Sequence, residues 1–150
     1  MLSTFRTALI LVFFSSLLLA CGKKGPVRPL NQPEPAAVET VELTQQGNNL
    51  QLSWSLPSRN RDGSVLTDPP VVEIYRSLYE PENDCPSCPT TGEPIAIIDP
   101  DYPAPATLER GIYRFIDSDI SPGQGYRYRL IPRTAQGQAG AKADVNVISR

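Results

Sequence analysis

Three cysteines and no histidine set the limits on the chemistry this chain can do. Cys85 and Cys88 sit three positions apart in the stretch Asp84-Cys85-Pro86-Ser87-Cys88-Pro89. This Cys-x-x-Cys spacing serves three chemistries. It closes a small structural disulfide, whose loop is too short to gain much chain entropy and which therefore shapes the backbone locally. It makes a redox-active pair where a helix amino terminus or nearby cations lower a thiol pKa. Here Glu80, Glu82, Asp84 and Glu93 flank the pair, and negative charge works the other way. It also supplies half of a zinc site, which needs four ligands; with one pair and no histidine, such a site would have to be shared between two chains. The missing histidine removes the commonest general base and rules out a Ser-His-Asp triad.

Other residue sets invite a chemical reading. Arg76, Arg114, Arg127 and Arg129 fall in alternating runs and are expected on the outer face of one sheet. There they either pair across strands with acids or offer an anionic ligand a surface. Asp99, Asp101, Asp117 and Asp119 lack the spacing of an EF-hand loop. Each lies at a strand end beside Pro or Ser, which predicts turn formation. Tyr75, Tyr113, Tyr126 and Tyr128 read as sheet and core aromatics.

The scaffold for these residues must be small. The chain has 150 residues, of which 40% are hydrophobic and 20% charged. That suffices for one packed domain and is too short for a TIM barrel or a two-domain enzyme. A net charge of −2 argues against nucleic acid as a partner. Arg6 is followed by the apolar run Ala8–Ala20, ALILVFFSSLLLA. A basic flank and a short apolar core are the anatomy of an export signal. The run falls short of the roughly 20 residues that a spanning helix needs.

The end of this run, Leu18-Leu19-Ala20-Cys21, resembles the bacterial lipobox. The resemblance implies a diacylglycerol group on the Cys21 thiol, cleavage before Cys21 and acylation of the new amino terminus. The only cofactor-like groups expected are these covalent lipids. More than one acyl chain gives stable anchoring where a single chain does not. Gly22 stands where Asp commonly marks inner-membrane retention in such lipoproteins, so the resemblance implies the outer membrane, facing the periplasm. An exported chain also meets an oxidising compartment, which suits a Cys85–Cys88 disulfide.

Residues 21–37 read as a tether. Pro26, Pro29, Pro33 and Pro35 each fix φ and remove a donor, so neither helix nor central strand fits. Lys23, Lys24 and Arg28 suit anionic headgroups. Cys21-Gly22-Lys23-Lys24-Gly25-Pro26 resembles the opening of the short lipoproteins that assist the lipopolysaccharide-assembly translocon. Val27 and Arg28 depart from the Leu and aromatic residue usual there.

From Val38 the texture becomes period-two alternation, the mark of half-buried strands. Seven runs qualify: those around Val41–Leu43, Leu50–Leu56, Val71–Arg76, Ile95–Ile98, Ile112–Ile116, Tyr126–Ile131 and Ala143–Ile148. Turn residues separate them, which predicts an all-β, seven-stranded antiparallel sandwich. The landmarks Leu52-Ser53-Trp54, Ile74-Tyr75-Arg76-Ser77, Phe115-Ile116-Asp117 and Ile120-x-Pro122-x-x-x-Tyr126 resemble, in order, those of a fibronectin type III domain. The resemblance makes Trp54 the core indole and Tyr126 a corner residue whose hydroxyl bonds to backbone upstream. It covers residues 38–149 and is interrupted by the Pro-rich insertion 78–94, which carries Cys85 and Cys88.

The expected organisation is therefore a signal peptide (1–20), a lipidated tether (21–37) and an immunoglobulin-like sandwich (38–149). The expected function is that of a non-enzymatic, membrane-anchored interaction module with an envelope protein as partner. Two alternatives are a thiol-disulfide protein using Cys85 and Cys88, and an accessory factor in lipopolysaccharide or outer-membrane assembly.

Overall fold

The computed structural model describes residues 33–83, 88 and 91–150. The chain divides into two compact units, Met1–Asn31 and Gln32–Arg150; the described residues all belong to the second. The expected signal peptide, Cys21, the basic start of the expected tether and Cys85 lie outside them.

The architecture is all-β, with two four-stranded antiparallel sheets consistent with a β-sandwich. The strands are β1 (Glu39–Gln46), β2 (Asn49–Ser55), β3 (Val71–Leu78), β4 (Ala96–Ile98), β5 (Thr107–Glu109), β6 (Ile112–Asp117), β7 (Gly125–Arg133) and β8 (Ala143–Ile148). One sheet has the order β1-β2-β6-β5 and the other β4-β3-β7-β8. The single turn of 3-10 helix at Pro81–Asn83 is the one helical element among the described residues.

Alternation explains the two layers. In β2 the buried positions are Leu50, Leu52 and Trp54, which places polar Gln51 and Ser53 outward. Tyr113 and Phe115 of β6 join them from the same sheet. Val72, Ile74, Tyr128, Leu130 and Ile98 complete the core from the other sheet. Trp54 is fully buried, and its ring stacks on that of its register partner Tyr113 at 5.6 Å between centroids and 15° between planes.

Two expectations need correction. The described residues form eight strands rather than seven. The additional β5 is three exposed residues long, so it shows no alternation to read. It exists because Arg110 and Gly111 both take positive φ, 51° and 81°, as a two-residue type I′ hairpin requires. That turn folds Thr107–Glu109 back onto β6. Residues 34–37, read above as the end of the tether, are part of the sandwich. The Arg61 amide donates to Glu34 O at 2.8 Å, the Ala36 amide to Arg59 O at 3.0 Å and the Ala141 amide to Pro35 O at 2.9 Å. A Cβ at Gly140 would lie 2.4 Å from Pro35 O, so glycine is what lets the two backbones meet. A run of prolines looks like a tether because it cannot form a ladder on its own; here the Glu34 and Pro35 carbonyls accept from neighbouring loops and the Ala36 amide donates to one.

Candidate functional site

Two polar clusters on the sandwich invite a functional reading. The first lies at one end, between the sheets. Arg76 occupies the inward phase of β3 after Val72 and Ile74, and Asp117 the inward phase of β6 after Tyr113 and Phe115. Neither can face water without reversing its strand, so they face each other. Arg76 Nη1 donates to both Asp117 oxygens at 2.9 and 2.8 Å, and Nη2 to Asp119 Oδ2 at 2.7 Å. The Asp119 carbonyl accepts a further bond from Nη1. The Tyr128 hydroxyl donates to Asp117 Oδ2 at 2.6 Å, and the Asp119 amide to Asp117 Oδ1 at 3.0 Å.

Burial disfavours the Arg76 charge, but its hydrogen bonds to Asp119 and Asp117 outweigh it and raise the guanidinium pKa further. Burial also raises the Tyr128 phenol well above its ordinary range, and the bond to Asp117 adds to the effect. Each Asp117 oxygen already accepts from two donors. Its lone pairs are occupied, and the chemistry left to it is structural: a charged clasp between the two sheets. Beside it, the Tyr126 hydroxyl accepts the Ser121 amide at 2.7 Å, five residues upstream, and the Tyr126 ring lies 5.7 Å from the Arg76 guanidinium carbon.

The second cluster occupies the outer face of the β4-β3-β7-β8 sheet. Arg129 is only 7% exposed. It forks onto its cross-strand partner Asp144, Nε to Oδ1 at 2.7 Å and Nη2 to Oδ2 at 2.9 Å. Its remaining reach goes to the insertion: Nη1 donates to the Cys88 carbonyl at 2.8 Å. Hydrogen bonding to Asp144 raises the Arg129 pKa against the cost of burial. Further along the same face, Arg133 pairs with Glu73 at 2.7 Å, and the Tyr75 hydroxyl donates to the other Glu73 oxygen at 2.7 Å. Cys88 is disulfide-bonded and does not titrate; its sulfur partner lies outside the described residues.

The four arginines therefore do not share one face. Arg76 points between the sheets, Arg114 lies on the outer face of the β1-β2-β6-β5 sheet where it pairs with Glu109 at 2.8 Å, and Arg127 and Arg129 lie on the outer face of the other sheet. Their described partners are acids, backbone carbonyls and aromatic rings, with Arg127 set 5.3 Å over Tyr79. The aspartates form turns. The Asp101 amide donates to Asp99 Oδ1 at 2.9 Å, and the Asp119 amide repeats this on Asp117. Among the described residues no group of three or more His, Cys, Asp or Glu is placed to hold a metal ion. No helix among them is long and apolar enough to cross a membrane.

The clasp could have been found in the sequence. A charged residue in the inward phase of a strand demands a buried counter-charge, and Arg76 and Asp117 are both in that phase. The burial of Arg129 carried no such signal, because it depends on where the insertion lies.

No protein-family model matches the chain, and no curated protein matches it.

Proposed function

We propose that this protein is a lipid-anchored envelope module that works by binding rather than by catalysis. The observation that carries the reading is Leu18-Leu19-Ala20-Cys21 closing an apolar run too short to span a bilayer. Acyl chains on Cys21 hold the protein to a leaflet, and Gly22 favours the outer membrane with the sandwich facing the periplasm. The sandwich is of the immunoglobulin-like, fibronectin type III sort. The sheet orders β1-β2-β6-β5 and β4-β3-β7-β8, the buried Trp54 and the bond from the Ser121 amide to the Tyr126 hydroxyl support that assignment. The fold names no activity. The reading as a binding module rests on polar clusters whose members are engaged with one another.

Cys88 pairs with Cys85 in this reading. The pair fixes the shape of the insertion and leaves no thiolate for exchange chemistry. The Arg129 bond to the Cys88 carbonyl then ties that shape to the sheet. Two measurements test the proposal. A fatty-acid label should enter the wild-type chain and not Cys21→Ser, and the Cys21→Ser chain should leave the membrane fraction. A Cys21→Ser protein that stays fully membrane-bound would overturn the anchoring. Rapid reduction of insulin by the purified chain would replace the structural disulfide with a redox role.

A further inference from the structure

The β3–β7 ladder gives the sandwich two distinct ends. Val71 pairs with Arg133 at one and Leu78 with Tyr126 at the other, about 20 Å apart at the usual rise per residue. Pro33 lies at the first end, against Leu66–Asp68 and Thr134–Gln138. The anchor segment therefore joins the sandwich there. The second end carries Leu78, 67% exposed, and Ile148, 52% exposed.

Between Tyr79–Asn83 and Gly123–Gly125 this second end holds a groove of about 380 Å³, with Ile148 on its wall. Its lining combines Tyr79, Pro81 and Ile148 with Glu80 and Glu82, and among the described residues no Lys or Arg lines it. Arg127, on the outer face of the sheet, lies 5.3 Å from the centroid of the Tyr79 ring. The groove is built into the frame. The Tyr79 amide donates to Gly125 O at 2.9 Å, and the Gly123 amide to Ser149 O at 3.0 Å. A Cβ on Gly125 would lie 2.0 Å from Tyr79 O, so only glycine permits the contact that forms this wall. The Glu80–Asn83 turn is closed by a backbone bond of 3.0 Å and by Asn83 Nδ2 donating to Glu80 Oε2 at 2.9 Å.

We propose that this groove docks a segment of a second protein that carries Lys or Arg beside aliphatic side chains. Charge selects the segment, since two glutamates and, among the described residues, no Lys or Arg line the groove. The fixed walls mean that little ordering entropy is lost on binding. The proposal rests on the binding-module reading above and gives that module a surface and a partner chemistry.

The test places the photo-crosslinking residue p-benzoylphenylalanine at Ile148 in the full chain, in native envelopes. The expected product is an adduct with another protein through a peptide containing Lys or Arg. Its yield should fall about tenfold in the double variant Glu80→Lys/Glu82→Lys and decline with added salt. The same crosslinker at Gln136, at the opposite end, should give no such adduct. The reversal Asp68→Lys, also at that end, should leave the yield unchanged, and unaltered thermal melts establish that the variants fold. An adduct with a second copy of this chain, an adduct indifferent to the reversal, or no adduct from a chain that fractionates with the membrane overturns the docking. A reversal-sensitive adduct from a chain that does not fractionate with the membrane upholds the docking and overturns the anchoring.

Discussion

At the scale of single residues, the polar groups at the Leu78 end of the sandwich act through hydrogen bonds whose loss is measurable. Tyr126→Phe removes the acceptor of the Ser121 amide while keeping the ring. Stability should drop by about 1 kcal/mol, read as a lower urea midpoint with an unchanged slope. Tyr128 makes a prediction about pH. The unfolded phenol ionises near 10.0, and burial followed by the bond to Asp117 raises the folded value well above that. Above pH 10 the unfolded chain therefore binds fewer protons than the folded one, and stability falls as pH rises further. Burial raises Tyr113 and Tyr75 in the same direction, so they steepen the decline. Urea unfolding across an alkaline pH series measures it. Tyr128→Phe should flatten it, at a cost of about 1 kcal/mol near neutrality from the lost bond to Asp117.

At the scale of elements, a buried guanidinium of β7 ties the Cys88 part of the insertion between β3 and β4 to the sheet. Arg129→Met removes both the fork onto Asp144 and the donor to Cys88 O. Stability should fall by about 2 kcal/mol, and a Glu-specific protease should cut faster at Glu80, Glu82 and Glu93. Arg129→Lys should restore little of either, because an ammonium cannot reproduce the planar two-point fork. Protection from cleavage equal to wild type in Arg129→Met would show that the insertion is held by other means. The hairpins carry a related lesson. The β1–β2 turn takes glycine at its first position, Gly47 with φ 59°, and was legible as turn chemistry. The β5–β6 turn puts a non-glycine residue, Arg110, in the left-handed region. That is why β5 escaped a reading based on Gly, Asn and alternation.

At the scale of the whole molecule, the sandwich begins earlier than the proline run suggests. A chain starting at Gln32 keeps the bonds from the Ala36, Arg61 and Ala141 amides. A chain starting at Val38 loses all three together with the fully buried Pro35. The shorter form should melt about 10 °C lower, given about 1 kcal/mol per bond and the size of the domain. Equal melting temperatures would return residues 34–37 to the tether.

Seven of the eight strands were legible because one face of each meets a core, and burial on one face leaves a period of two in the sequence. The burial of Trp54 and Tyr128 follows the same phase rule, and applied to charge it would have paired Arg76 with Asp117. The acylation proposed at Cys21 is likewise read from local sequence, since the resemblance rests on a few adjacent residues. Tertiary structure decided what depends on distant segments meeting. It docked Glu34–Ala37 against the loops around Arg59 and Ala141, distributed four arginines over three surfaces, buried Arg129 beneath the Cys88 backbone, and set Tyr79–Asn83 against Gly123–Gly125 to form a groove. The physical reason is range. Alternation, turn chemistry and charge phase are fixed by neighbours along the chain, whereas a contact between a loop and a strand some forty residues away, like that of Cys88 with Arg129, exists only once the sheets have packed.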